Sequence, residues 1–290
     1  VGATGLMSRN ANSSGSSSTT LDGISPRAIL QKMQLTVMSS LRVWAVRRRP
    51  GATPLNAKMS YNRGKIRPPG AIVKLSAKDF KSWDNKCITL LGMSGVGKTR
   101  LALRLRKRHW FHYSGDYRIG TRYLDEAILD NIKSQAMQIP FLHDLLRTDS
   151  IYIRNNITVD NLQPVSSFLG KLGNPEQGGL GLKEFKHRQA LHRDAEIAAM
   201  KDVPEFIRKS KAIYGYRHFV NDAGGSLCEL DDPETLRVLA EHTLVLYIKA
   251  NEKDEQDLIK RAEDDPKPLY YREAFLDEQL AIYLREKGHG

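Results

Sequence analysis

Cysteine is scarce in this chain: its 290 residues include only Cys87 and Cys228. Two cysteines are too few for a disulfide framework or a structural zinc site, and they indicate a reducing compartment in which both are small buried hydrophobic residues. The sequence also lacks any run of roughly 18 apolar residues, so we expect no membrane span. The apolar fraction of 40% is compatible with a buried core.

Acidic residues are nearly missing from the first 78 positions, which contain Asp22 as their single acid against thirteen lysines and arginines. The rest of the chain contains 32 basic and 32 acidic residues, so the net charge of +12 belongs entirely to the N-terminal segment. Residues 79–290 therefore have no net positive charge that would attract the phosphate backbone of a nucleic acid. We therefore expect no nucleic-acid partner.

The basic segment, residues 1–79, is rich in serine and arginine and poor in acids. These features are typical of an organelle transit peptide. A disordered basic tail, or upstream sequence translated from an incomplete gene model, explains the same composition. The chain is accordingly expected to be soluble, and either cytoplasmic or, if the segment is a transit peptide, mitochondrial or plastid.

Residues 80–290 show short apolar runs separated by helical patterns. The runs predict strands at 86–91, 110–115, 216–221 and 243–250, and the patterns predict helices at 99–108, 233–242, 252–263 and 273–287. Between the second and third strands, residues 125–215 predict a mainly helical insertion with one further strand at 150–157. His187 and His192 in this stretch are expected at the surface. The predicted fold class is α/β, a three-layer sandwich with a mainly parallel sheet flanked by helices.

A glycine-rich motif follows the first predicted strand and precedes a helix. It matches the pattern G-x-x-x-x-G-K-[ST], a P-loop, at every position. Backbone N–H groups of such a loop face the β-phosphate of a nucleoside triphosphate, the lysine reaches the β- and γ-phosphates, and the threonine hydroxyl ligates magnesium. ATP and Mg²⁺ are therefore the predicted cofactors, bound by Gly92, Met93, Ser94, Gly95, Val96, Gly97, Lys98, Thr99 and Arg100.

Two aspartates follow predicted strands, at the edge where ligands meet an open parallel sheet. Asp222 is a candidate to hold magnesium through its water shell. Asp116 is a candidate to orient or deprotonate an acceptor, with Arg118 and Arg122 nearby as acceptor-binding residues.

The order of these elements resembles the P-loop small-molecule kinases, most closely the shikimate, gluconate and adenylate kinase group. The resemblance covers roughly residues 86–125 and 216–287. It implies transfer of the γ-phosphoryl group of ATP to a small hydroxyl-bearing acceptor, with Lys98 and Asp116 catalytic and Gly224 and Gly225 lining the acceptor pocket. The segment LIKRAEDDPKPL resembles the lid of these kinases, whose matching residues are Lys260, Arg261, Asp265, Lys267, Pro268 and Leu269.

Within this resemblance, Arg261 and Arg272 are the candidate arginines that would stabilise charge on the transferring group, and Arg261 is preferred because the DDPKPL turn follows it. An ATP hydrolase or nucleotide-driven switch, with a protein partner engaged through the insertion, is the alternative. A nucleic-acid-acting NTPase and a P-loop used only for interaction are further alternatives.

Overall fold

The computed structural model describes residues 76–264 and 269–286, without the side chains of residues 262–264. The predictions for residues 1–75, and for Asp265, Lys267 and Pro268 of the lid-like segment, lie outside the described residues. Within these residues the chain alternates helices with the strands of one parallel sheet. The α/β prediction is thereby confirmed at the level of a parallel sheet flanked by helices.

The sheet contains β1 (Cys87–Leu91), β2 (Trp110–Ser114), β3 (His218–Asp222) and β4 (Leu244–Tyr247). Their spatial order is β2-β3-β1-β4, and every neighbouring pair is parallel. From β1 the chain moves past β3 to reach β2, whereas from β3 it crosses β1 to reach β4. The connections of β1 and β3 thus leave in opposite directions, which creates a crevice at the carboxyl ends of these two strands.

The first helices are α1 (Ala77–Ser82) and α2 (Lys98–Arg106), and the last are α9 (Pro233–His242), α10 (Glu252–Asp264) and α11 (Glu273–Glu286). Between β2 and β3 the chain forms α3 (Gly115–Arg118), a π-helical turn at Ile119–Tyr123, α4 (Asp125–Ala136), α5 (Pro140–Arg147), α6 (Gln163–Leu169), α7 (Leu182–Lys201) and α8 (Val203–Ala212). The region is helical, as predicted. The strand predicted at 150–157 is wrong, because residues 151–157 are irregular.

Side chains alternate across the sheet and feed one apolar cluster on each face. Cys87 and Leu91 of β1 pack into the cluster that also contains residues of α7 and α9, while Ile88 and Leu90 join Ala102 of α2 on the other face. Both faces of the sheet are therefore covered, which explains why β1 is apolar at nearly every position. In the described residues, no helix is both long enough and apolar enough to cross a membrane.

Candidate functional site

The glycine-rich motif forms the turn between β1 and α2, in the setting that the sequence predicts. Gly92 has φ of 146°, and a Cβ at this position would lie 2.6 Å from the carbonyl oxygen of Ile248. Only glycine fits this close approach. Gly97, with φ of 102°, directly precedes α2, so the free N–H groups at the start of that helix face the loop.

Lys98 is buried, and its Nζ donates to the carbonyl oxygens of Gly92 at 2.8 Å and Met93 at 3.0 Å. Burial lowers the pKa of Lys98, while the carboxyls of Asp116, Asp222 and Glu196 act in the opposite direction. Lys98 therefore lies in a desolvated position and interacts with three carboxyl groups.

A cleft of about 1110 Å³ opens beside this loop. One wall is the loop and the start of α2, and the other walls come from the segment after β3, α6 and the turns that follow it. The volume is above the upper end of the roughly 300–1,000 Å³ typical of small-molecule pockets, so the cleft has space for two ligands. Its lining includes Ser94, Lys98, Thr99, Arg100, Asp116, Ile119, Leu162, Val165, Ser166, Ser167, Leu169, Lys171, His192, Gly225, Ser226 and Leu269.

Asp116 lies in α3, directly after β2, and its side chain faces the cleft. The carboxyl is accessible to solvent within the cleft but is surrounded by its walls. This enclosure, and secondarily the charge of Asp222, raises the pKa of Asp116 to about 6. Solvent in the cleft screens the effect. Asp116 is thus largely ionised at neutral pH and retains the capacity to accept a proton.

Asp222 ends β3 and is paired in register with Leu90 of β1, one residue before the strand reaches Leu91 and the glycine loop. Its Oδ2 is 3.4 Å from Nε2 of His112, whereas its Oδ1 is buried without a hydrogen-bond partner among the described residues. Magnesium prefers oxygen ligands and usually retains several water molecules. Asp222 is buried and is not among the residues that line the cleft, so a magnesium-bound water would have to reach its Oδ1 below the cleft surface; Thr99 is exposed and lines the cleft.

No group of three His, Cys, Asp or Glu side chains in the described ranges can hold a metal ion by itself. A magnesium ion at this site would therefore depend on oxygen atoms of the triphosphate and water in addition to Thr99 and Asp222. The glycine cradle, the buried Lys98 and the unpaired Asp222 oxygen fit that shared coordination.

The two arginines predicted to bind the acceptor do not line the described part of the cleft. Arg118 pairs with Asp202, to which both its Nε and one terminal nitrogen donate at 2.8 Å. Its guanidinium also stacks over Phe206, 5.0 Å from the ring centroid. Arg122 is exposed. Arg118 is thus occupied in joining α3 to the turn between α7 and α8.

The lid-like segment is only partly brought to the cleft. Leu269 lines it, whereas Arg261 is exposed on α10 and its Nε donates to the carbonyl oxygen of Asp257 at 3.3 Å. In this arrangement the side chain of Arg261 is outside the described cleft lining. Lys171, which follows α6, does line the cleft and was not singled out from the sequence.

Glu196 is the main site residue that sequence reasoning missed. It lies on α7, is fully buried, and its Oε2 accepts a 2.7 Å hydrogen bond from Ser226. Its Oε1 has no hydrogen-bond partner among the described residues. Burial raises the pKa of Glu196 to about 8, with the Ser226 hydrogen bond acting in the opposite direction. Glu196 is therefore predominantly protonated at neutral pH.

Gly224 explains how Glu196 and Asp116 approach each other. A Cβ at Gly224 would lie 2.5 Å from Oε1 of Glu196 and 3.2 Å from Oδ1 of Asp116. The absence of a side chain leaves room for both carboxyls. Gly225, the next residue, lines the cleft against Ser94. The two predicted glycines therefore connect the glycine loop to a pair of carboxyl groups.

The surface position expected for His192 is wrong. His192 is buried one helical turn before Glu196 and lines the cleft, and burial lowers its pKa to about 4. The signal was present in the sequence: Gln189, His192 and Glu196 recur at helical spacing with Ala199 and Phe185. Polar residues on the buried face of an amphipathic helix indicate a site.

No protein-family model matches the chain, and no curated protein or solved structure is significantly similar to it.

Proposed function

We propose that this protein is a P-loop phosphotransferase that binds ATP with Mg²⁺ and moves the γ-phosphoryl group to a small hydroxyl-bearing acceptor. One observation carries the proposal: a single cleft, large enough for two ligands, is lined both by Lys98 and Thr99 of the glycine loop and by the carboxyl of Asp116. The resemblance to P-loop small-molecule kinases, and the parallel sheet with its crevice between β1 and β3, support the same conclusion.

ATP would supply the γ-phosphoryl group, and magnesium would neutralise part of its charge. The loop from Gly92 to Gly97 contributes backbone N–H groups, and Lys98 contributes a positive charge in a largely desolvated position. Thr99 and Asp222 are the residues we assign to the magnesium ion. Positioning and charge stabilisation supply most of the rate enhancement in such a transfer.

Asp116 is the residue we assign to the acceptor. A general base works best when its pKa is near the working pH, and a pKa of about 6 meets this condition. Asp116 would accept the proton of the acceptor hydroxyl while the phosphoryl group is transferred to the oxygen.

A second cation besides Lys98 is needed to stabilise the charge on the transferring group. Arg261 was the sequence candidate, but Lys171 and Arg100 are the positive side chains that line the described cleft together with Lys98. No carboxylate among the described residues forms an ion pair with Lys171. We therefore assign this role to Lys171, whereas Arg261 would require a movement of α10.

An ATP hydrolase or nucleotide-driven switch is the alternative. Its supporting observation is that residues between β2 and β3, including Leu169, Lys171 and His192, line the cleft directly. A change in the bound nucleotide would then change the position of α6 and α7, and a protein partner that binds these helices would respond to it.

The deciding experiment measures ADP formation from Mg²⁺–ATP with and without a library of small hydroxyl compounds, followed by mass spectrometry of the acceptors. The phosphotransferase proposal predicts that at least one compound accelerates ADP formation and gains a phosphoryl group. Asp116→Asn should lower the acceptor-dependent rate by about 10²–10⁴-fold. Asp160→Asn, the same change at an exposed position outside the cleft lining, should retain the rate. ADP formation that no acceptor changes would support the hydrolase instead.

A further inference from the structure

We call the part of the cleft around Asp116 and Gly225 its acceptor end, and this part is acidic. Asp116 lines it, and Glu196 lies directly behind Gly224, so that oxygens of both carboxyls come within 3.2 Å of one point at the position of the Gly224 Cβ. Asp222 adds a third carboxyl that interacts with Asp116. The carboxylate of Asp116 repels an anion placed beside it.

Among the described residues, Lys98 is the cation that acts on the charge of Asp116. Arg118 is paired with Asp202 and stacked on Phe206, and Arg122 does not line the cleft. His192 does line it, but its burial favours the neutral imidazole. Lys98 and Arg100 belong to the triphosphate side, and Lys171 is assigned above to the transferring group.

The remaining lining of the cleft is apolar or uncharged. Leu162 and Leu269 contribute partly exposed aliphatic side chains, and Ser166 and Ser167 contribute hydroxyls. Such a surface contacts one apolar face of a ligand and hydrogen-bonds to hydroxyl groups on its edge.

Resting on the phosphotransferase function proposed above, we infer that the acceptor is an uncharged polyhydroxyl compound with an apolar face, such as a sugar, a polyol or a nucleoside. Hydroxy acids and phosphate esters are disfavoured, since their negative charge would lie beside the carboxylate of Asp116. Glu196 is a positioning residue, since it keeps a carboxyl beside Asp116 without reaching the cleft surface itself.

The test compares acceptors that differ in charge: glucose against gluconate, glycerol against glycerate, and adenosine and uridine against their 5′-monophosphates. The full chain is assayed with Mg²⁺–ATP, and kcat/KM is determined for each compound. We expect the preferred acceptor to be an uncharged compound, favoured over its anionic counterpart by roughly tenfold or more, because like-charge juxtaposition costs several kcal/mol. Preference for the anionic members would overturn this inference and leave the phosphotransferase proposal intact. No phosphorylation of any acceptor would overturn both.

A gain-of-charge variant makes the test independent of loss of function. Ser167→Arg places a cation on the cleft wall at an exposed helical position, and Ser134→Arg makes the same change on α4, outside the cleft lining. Ser167→Arg should raise kcat/KM for the anionic members, whereas Ser134→Arg should not. Glu196→Ala should keep the preference for uncharged compounds and change the KM for the acceptor more than the affinity for ATP, whereas Glu196→Gln, which retains the shape of the protonated acid, should keep the wild-type KM. Equal changes in the acceptor KM and the ATP affinity of Glu196→Ala would contradict the positioning role.

Discussion

Glu196→Gln should stabilise the protein, and increasingly so as the pH rises. The buried carboxyl has its pKa raised from 4.5 to about 8 in the folded state. Between these values the unfolded chain is ionised and the folded protein retains the proton. The folded state then binds more protons than the unfolded state, so the free energy of unfolding of the wild type falls as the pH rises. Glutamine has the size and hydrogen-bonding capacity of the protonated acid and does not titrate.

The linkage sets the magnitude. Each pKa unit corresponds to about 1.4 kcal/mol. Over most of the interval between about pH 5 and 7.5, the folded protein binds nearly one proton more than the unfolded chain at this position. The stability of Glu196→Gln relative to the wild type should therefore increase by about 3 kcal/mol across this interval. Differences in packing between the two side chains do not depend on pH and cancel from the comparison.

Urea unfolding of both proteins at the two pH values, followed by circular dichroism, measures this change. Glu278→Gln, the same substitution at an exposed position of α11, is the matched control. A relative stability that changes by less than about 1 kcal/mol would show that Glu196 is ionised in the folded protein and would contradict this prediction.

The remaining predictions concern neighbouring positions. Gly224→Ala should lower the free energy of unfolding by about 1–3 kcal/mol, because the new Cβ would contact Glu196. The loss should be smaller in a Glu196→Ala background, and equal losses in both backgrounds, measured by urea unfolding, would contradict the contact. Arg118→Leu should lower the free energy of unfolding by about 1–3 kcal/mol through the loss of its hydrogen bonds to Asp202, and the KM for the acceptor should not change. A raised KM at unchanged stability would indicate that Arg118 binds the acceptor. Thr99→Ala should raise the Mg²⁺ concentration needed for half-maximal ATP binding, and an unchanged titration would remove Thr99 from the metal site.

The sheet and the glycine loop were predictable because their signals are local. Each of the four strands is a short apolar run, and the glycine pattern stands between β1 and α2, so residues close in sequence determine both. The predicted strand at 150–157 failed for the same reason. Its alternating pattern is compatible with a strand, but the segment has no neighbour in the sheet and remains irregular.

The acceptor end of the site was less predictable because it depends on contacts between distant segments. Glu196 faces Asp116 only because Gly224 leaves space between them, and no short motif encodes this. Arg118 follows Asp116 closely in sequence, yet its side chain pairs with Asp202 and stacks on Phe206 and does not line the cleft. Sequence spacing identifies residues near a site, while tertiary packing decides which of them enter it.

The proposed role of the glycine loop requires that the protein bind Mg²⁺–ATP and that Lys98 contribute to the affinity. Isothermal titration of the wild type, Lys98→Ala and the exposed-position control Lys253→Ala would be compared, with thermal unfolding used to verify that each protein is folded. The account predicts a single Mg²⁺–ATP site whose affinity falls by roughly 10–100-fold in Lys98→Ala, since a hydrogen bond to a charged group is worth about 1.5–3 kcal/mol, and is retained in Lys253→Ala. Equal affinities in the wild type and a folded Lys98→Ala variant, or no binding in either, would contradict it.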